Sequence, residues 1–300
     1  MPDGWIILDK PLGLGSTQAV AAVKRNLREA GFGKQVRVGH GGTLDPLATG
    51  VLPIAVGEAT KLCGRMLDAS KVYAFTVRFG VETDTLDLEG QVIAESPVRP
   101  TRAGLEAVLP RFTGPIEQVP PAYSALKIDG TRAYDLARAG RDVVLATRCV
   151  TIHALTLEAC DADSATLVAN VSKGTYIRSL ARDIALALGT RGHVTMLRRL
   201  KAGPFAIGQA ISLDNLNEIG KGARLERYLL PLEAGLVDIP VLDLTPEQAR
   251  AVHQGRVLTG MAFSDGQYWA RSGQRPLALV ALSGGECRVE RGFNLTDVAE

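Results

Sequence analysis

Gly39-His40-Gly41-Gly42-Thr43-Leu44-Asp45-Pro46-Leu47-Ala48-Thr49-Gly50 runs directly into Val51-Leu52-Pro53-Ile54-Ala55-Val56. The first stretch holds too much glycine and proline for regular structure, and the second reads as a buried strand. A polar loop that feeds a strand is where a scaffold tends to carry its chemistry. Within the loop, Pro46 pushes Asp45 toward an extended backbone, and the surrounding glycines let other groups approach closely. An aspartate is ionised near neutrality and can serve as a nucleophile or base, but it can equally cap a turn, and the spacing leaves both open. His40 has no second ligand at a metal-motif spacing, so a steric or hydrogen-bonding role is expected and no metal site.

Upstream, Trp5-Ile6-Ile7-Leu8-Asp9 reads as a short buried strand, with breakers at Pro11, Gly13 and Gly15 and then a helix over about residues 17–30. Ser16 or Thr17 can cap that helix and Gly31 can end it. The turn lacks the third glycine of a dinucleotide fingerprint, and no phosphate-cradling Gly-x-x-x-x-Gly-Lys-[Ser/Thr] occurs, so no nucleotide cofactor is expected. Downstream, Tyr73, Phe75, Val77 and Phe79 alternate with Ala74, Thr76 and Arg78 at the period of a strand. Further strands are expected at 91–95, 124–128, 149–157, 165–172 and 194–200, and helices at 102–111, 132–139, 177–188 and 213–219. Without a regular strand–helix alternation, the order predicts an α+β fold around a mixed, mostly antiparallel central sheet. Pro231 and Pro240 bracket a connector. A helix over 245–254 and short strands follow, which places a large domain at 1–235 and a small β-rich one at 241–300.

The 300 residues are 46% hydrophobic and 22% charged, an ordinary folded composition. Fibrous and disordered classes are excluded. The 34 Lys+Arg nearly cancel the 32 Asp+Glu, so any basic surface must be local. Aromatics at 5% argue against an extended stacking platform for single strands. One local concentration exists: from Lys173 to Lys201 there are seven Lys+Arg against Asp183 alone, a surplus of six. Such a surplus suits a polyanion such as RNA, although it is equally compatible with a solvated helix face. From 241 to 300 the balance is near neutral, six Arg against seven acidic residues. The cysteines, Cys63, Cys149, Cys160 and Cys287, show no zinc spacing. Met1 to Gly15 lacks the pattern of a signal peptide, and no apolar run approaches the roughly eighteen residues of a membrane span. A reduced, cytoplasmic protein without membrane contact is expected. No heptad or other self-association segment is visible, so a monomer is expected.

Gly42-Thr43-Leu44-Asp45-Pro46-Leu47-Ala48-Thr49-Gly50-Val51-Leu52 resembles the catalytic loop of the bacterial tRNA pseudouridine-55 synthases, the TruB family. Three other stretches agree in order: Leu8-Asp9-Lys10-Pro11 with Gly13, then Pro120-Pro121-Ala122-Tyr123-Ser124-Ala125-Leu126-Lys127 with Gly130, Arg132, Tyr134, Ala137-Arg138 and Gly140. The last is Ser172-Lys173-Gly174-Thr175-Tyr176-Ile177-Arg178 with His193 and Leu197-Arg198-Arg199. Together they span about two thirds of the chain.

The resemblance implies isomerisation of a T-loop uridine of tRNA to pseudouridine, a redox-neutral reaction without a cofactor. It makes Asp45 the nucleophile, Tyr73 a residue against the target base and a candidate for proton transfer, and Arg178 the partner that orients the aspartate. Tyr176 and Leu197 match pocket residues around the flipped uracil, and His40 the histidine that packs into the RNA loop once the nucleotide leaves the stack. Lys10 and Lys61 match lysines near the substrate. Residues 120–148, carrying Lys127, Arg132, Arg138, Arg141 and Arg148, resemble an insertion that grips the T arm. The C-terminal part resembles a PUA-type, β-barrel-like RNA-binding domain. Rival readings are a synthase for another RNA, a non-catalytic RNA-binding or tRNA-chaperone module, and a nucleotide-dependent phosphotransferase.

Overall fold

The computed structural model describes residues 2–124, 126–143, 145–219 and 225–295. The chain divides into two compact units, residues 45–50 with 68–202, and residues 1–44, 51–67 and 203–300.

The unit of residues 45–50 and 68–202 is built on a sheet with the strand order Gly114–Gln118, Arg148–Cys160, Ser164–Val171, Lys71–Phe79 and Gly192–Ala202. Each neighbour in that series pairs antiparallel. A parallel pairing then joins Leu197, Arg198 and Arg199 to Ala48, Thr49 and Gly50, the start of the Ala48–Val56 strand. The sheet is therefore mixed and mostly antiparallel, as the irregular element order implies. The alternating strand puts Phe75, Val77 and Phe79 on one face, where they are buried with Leu167, Ala169 and Val171. The helix Ile177–Ala187 lays Ile177, Leu180, Ala181 and Ile184 onto that face. Their spacing of three, four and seven makes a single apolar stripe, and burying each large side chain stabilises the unit by roughly 1.5–3 kcal/mol.

In the other unit the strand Gly4–Lys10 pairs parallel with Ile211 and Ser212, and Val38–His40 pairs antiparallel with Ile54, Ala55 and Val56. A separate four-stranded sheet follows in the order Val241–Asp243, Gly266–Ser272, Arg275–Ser283 and Glu286–Gly292. It has its own core of Leu242, Leu244, Val252, Ala270, Val280 and Leu282, under the helix Pro246–His253. A Thr245–Gln248 capping box starts that helix.

Two expected elements change. The helix expected to reach Arg111 ends at Val108 and continues as a 3₁₀ turn, Leu109–Phe112. Pro110 lacks the N–H that an α-helix would donate to Glu106. The strand expected at 124–128 shortens to Lys127–Ile128, because the carbonyls of Ser124 and Leu126 accept from the N–H groups of Tyr134 and Ala133. Ala125, quoted in the second matching stretch, lies outside the described residues. Among the described residues no helix is long and apolar enough to cross a membrane.

Candidate active site

The Gly-rich loop delivers Asp45 by a turn in which Ala48 N–H donates to the Asp45 carbonyl at 3.0 Å. The turn uses the backbone, so the carboxylate is not spent as a cap. Its Oδ2 instead lies 2.9 Å from Nη2 of Arg178, while the side chain stays about half exposed. The next turn of chain is fixed by Gly50, at φ +99°, where a Cβ would stand 2.2 Å from the carbonyl oxygen of Arg199. Only glycine permits that crossing, which sets the start of the Ala48–Val56 strand beside Leu197–Arg199.

Arg178 enters from the first turn of the Ile177–Ala187 helix and is buried. A buried guanidinium needs partners for its charge and its N–H groups. Nη1 donates to the Thr85 carbonyl at 2.9 Å and to Asp87 Oδ2 at 3.2 Å, and Nη2 donates to the Tyr123 carbonyl at 3.0 Å. Asp45 Oδ2 adds an ion pair at Nη2, 2.9 Å away. Asp87 is itself fixed, its Oδ1 accepting from the Thr85 hydroxyl at 2.6 Å and from Glu89 N–H at 3.0 Å. The guanidinium is thus locked from the 85–89 loop and from residue 123, and its Nη2 pairs with the Asp45 carboxylate. An ion pair to a fixed guanidinium orients the carboxylate. Among the described residues Asp45 Oδ1 has no hydrogen-bond partner, and Asp45 lines a small pocket with Leu47, Asp87, Arg178, Met196 and Leu197.

The other expected site residues divide between the units. Tyr73 stands on the Lys71–Phe79 strand opposite Ala169 and Arg199, partly buried against the core. Tyr176 caps the helix that carries Arg178, and burial raises its phenol above the usual tyrosine range. Lys127 lies exposed on the Lys127–Ile128 strand of a two-stranded ribbon. His40, Lys10 and Lys61 belong to the other unit. There, His40 Nδ1 accepts from Gly42 N–H at 3.4 Å. Lys10 is buried, with Nζ donating to the carbonyls of Leu14 at 2.6 Å and Pro11 at 3.0 Å. Lys61 Nζ is 2.6 Å from Glu58 Oε2 and 2.7 Å from the Gly292 carbonyl. The structure therefore gives both lysines partners inside the protein.

The basic surplus is smaller in space than in sequence. Four of the seven cations, Lys173, Arg178, Arg182 and Arg191, are ion-paired, and their partners include Asp45, Asp68, Glu82 and Asp87 from outside the stretch. Local counting misses carboxylates that other elements bring in. Asp87 and Thr85 were not singled out by the sequence. The only sign of them is the polar turn-forming run Thr83-Asp84-Thr85 with Asp87 and Gly90, directly after the alternating strand. Among the described residues no cluster of His, Cys, Asp and Glu could hold a metal ion.

Residues 28–177 match the family model described as TruB family pseudouridylate synthase, N-terminal domain, and residues 178–237 match that of the tRNA pseudouridylate synthase B C-terminal domain. The chain is similar to tRNA pseudouridine synthase B of Novosphingobium aromaticivorans, at 73% identity over the whole of both chains. It is similar also to the enzyme of that name from Zymomonas mobilis subsp. mobilis, at 59% identity over 97% of this chain and 96% of the relative. Among solved structures, an H/ACA RNP bound to a substrate RNA containing 2′-deoxyuridine superposes with a TM-score of 0.74 at 24% identity, covering 98% of this chain and 86% of that one. A Cbf5–Nop10–Gar1 complex gives 0.72 at 25% identity, over 97% and 84%. These two likenesses show a shared fold.

Proposed function

The chain belongs to the TruB family of pseudouridylate synthases and isomerises uridine in tRNA to pseudouridine, and we propose that its target is uridine 55 of the T loop, with Asp45 as nucleophile. The observation that carries the assignment of Asp45 is its pairing with the locked guanidinium of Arg178 at the edge of the pocket that both residues line. The reaction breaks the C–N glycosidic bond, turns the base and forms a C–C bond, and the proton lost from C5 of the uracil is balanced by one gained at the freed N1. A carboxylate held by a fixed guanidinium suits attack on the flipped-out nucleotide, because its orientation is set before the substrate arrives.

In this reading Tyr73 stacks against the base and serves proton transfer, Tyr176 and Leu197 wall the uracil, and His40 fills the gap in the RNA loop. Lys10 and Lys61 lie near the substrate backbone. Lys127 and the rest of residues 120–148 grip the T arm, and residues 241–300 form a PUA-type RNA-binding domain on a catalytic domain of 1–235. The enzyme acts as a cytoplasmic monomer without a cofactor. Asp45→Asn tests the assignment: tRNA binding is retained and pseudouridine is lost. Unchanged product from Asp45→Asn overturns it, and an unmodified T loop after incubation of parent enzyme with tRNA transcript overturns the choice of target.

A further inference from the structure

Two side chains hold Tyr176: Gln118, which lies outside the 120–148 segment and has no part in gripping RNA, and Arg148, the last residue of that segment. Gln118, the last residue of the Gly114–Gln118 strand, is only 1% exposed. Its Oε1 accepts from Tyr176 N–H at 2.8 Å, and its Nε2 donates to the Tyr176 carbonyl at 3.1 Å. One side-chain amide thereby makes both bonds that a neighbouring β-strand would make. It makes them at an extended residue, φ −101° and ψ 111°, that no strand pairs among the described residues. Directly opposite Gln118 across the antiparallel ladder stands Arg148. Its guanidinium lies over the Tyr176 ring, 5.8 Å from the centroid, and beside the turn at Gly174, where a Cβ would come 3.5 Å from Nη1. Arg148 Nε is buried and has no hydrogen-bond partner among the described residues. The tyrosine ring and the turn flank the guanidinium.

We propose that Gln118 and Arg148 are a pair of positioning residues that fix Tyr176 from two sides, Gln118 through its backbone and Arg148 over its ring, and so set one wall of the uracil pocket. The inference rests on Tyr176 being that wall. The two contacts restrain different freedoms. The amide clamp fixes the backbone from which the side chain projects, and the cation over the π face restrains the ring. The clamped residue is also the N-cap of the helix whose next turn carries Arg178, so a shift at residue 176 reaches the partner of Asp45 through two residues of chain. A fully buried glutamine cannot touch RNA. Any effect of Gln118 on the reaction must therefore pass through what it holds.

The test is single-turnover pseudouridine formation at saturating enzyme on unmodified tRNA transcript, with tRNA affinity measured separately by filter binding. Gln118→Leu removes both bonds and is expected to slow the step roughly tenfold with affinity unchanged. Gln118→Glu keeps the acceptor for Tyr176 N–H but sets an anionic oxygen against the Tyr176 carbonyl, so its rate is expected to recover as acid protonates the glutamate. Arg148→Met keeps bulk and loses the cation. It is expected to slow the parent several-fold, and to have no effect when added to Tyr176→Leu. Far-UV circular dichroism melts establish that the variants compared are folded. Slowing by Arg148→Met that persists in full beside Tyr176→Leu, or variants that change affinity alone, overturns the proposal. Active parent enzyme with unchanged variants overturns this inference only, whereas a parent that forms no pseudouridine overturns the functional reading with it.

Discussion

Asp87→Asn separates a guanidinium locked for catalysis from one that is merely buried. The substitution preserves shape and removes one charge from the triad in which Arg178 lies 3.2 Å from Asp87 and 2.9 Å from Asp45. If the asparagine oxygen stays at the Oδ1 position it keeps the bonds from the Thr85 hydroxyl and Glu89 N–H, but its NH₂ then faces Nη1, donor against donor. If the amide turns over, the Arg178 bond is restored and the NH₂ meets Glu89 N–H instead. Either rotamer loses one bond and the ion pair. Breaking a buried pair by removing one partner costs about 3–5 kcal/mol when the remaining charge is stranded. Here Arg178 keeps Asp45 and two carbonyls, which lowers the figure to about 2 kcal/mol. A loss of that size in transition-state stabilisation is about 30-fold in rate.

Tritium at C5 of the uridines in a tRNA transcript reads the chemical step directly, since C–C bond formation at C5 releases it. Thermal unfolding reads the fold. The expected result is a slower single turnover, a lowered melting temperature and near-normal tRNA affinity. A lowered melting temperature with an unchanged rate would refute the reasoning, because it would mean that Asp87 supports the fold without setting Arg178 for Asp45.

Gly50→Ala places a methyl group 2.2 Å from the Arg199 carbonyl oxygen at a backbone φ of +99°, so the parallel contact with Leu197–Arg199 must open. A melting temperature lowered by several degrees and a rate lowered with it are expected, and a variant as stable as the parent would show that the crossing is not tight. Lys71 is buried, and desolvation and then nearby Arg199 depress its amine from 10.5 to about 8. The unfolded chain keeps that proton up to its ordinary value while the folded protein releases it near 8, so the parent gains stability relative to Lys71→Met as pH rises through that window. The gain is up to about 3 kcal/mol, read from paired denaturation curves, and a difference independent of pH would contradict it. Pseudouridine formation in chelator and without nucleotide is expected at the full rate once the tRNA is folded, and an ATP requirement would favour the phosphotransferase rival.

What the sequence discloses and what it hides divide along contact range. The Asp45 loop and the Tyr73–Phe79 strand are legible because their signals are local: glycines and a proline in one place, a period of two in the other. The helix over 177–188 is legible for the same reason, and the one expected at 102–111 is overrun by ignoring what Pro110 does to a hydrogen-bond ladder. Asp87 is a different case. It stands 42 positions from Asp45 and 91 from Arg178 in the chain, and no spacing rule connects such residues before the sheet brings them together. The charge surplus over Lys173–Lys201 misleads by the same logic in reverse, since Asp68 and Glu82 arrive from outside the window counted.

Gln118 is the hardest of all to read in advance. In the run Gly114-Pro115-Ile116-Glu117-Gln118 it is one polar residue among several at the end of a short strand, and either Glu117 or Gln118 could face solvent. The period of two puts the side chains of Ile116 and Gln118 on the same face, and so buries a polar group that must find partners. It finds them in the backbone of residue 176, where the extended Tyr176 that precedes the Arg178 helix has an N–H that no strand pairs among the described residues. A buried amide and an unpaired stretch of backbone satisfy each other only in the folded protein. The residues that aim a catalytic group are therefore less visible in a single sequence than the group itself: Asp45 is marked by its loop, whereas Asp87 and Gln118 are marked only by what the fold leaves unsatisfied around Arg178 and Tyr176.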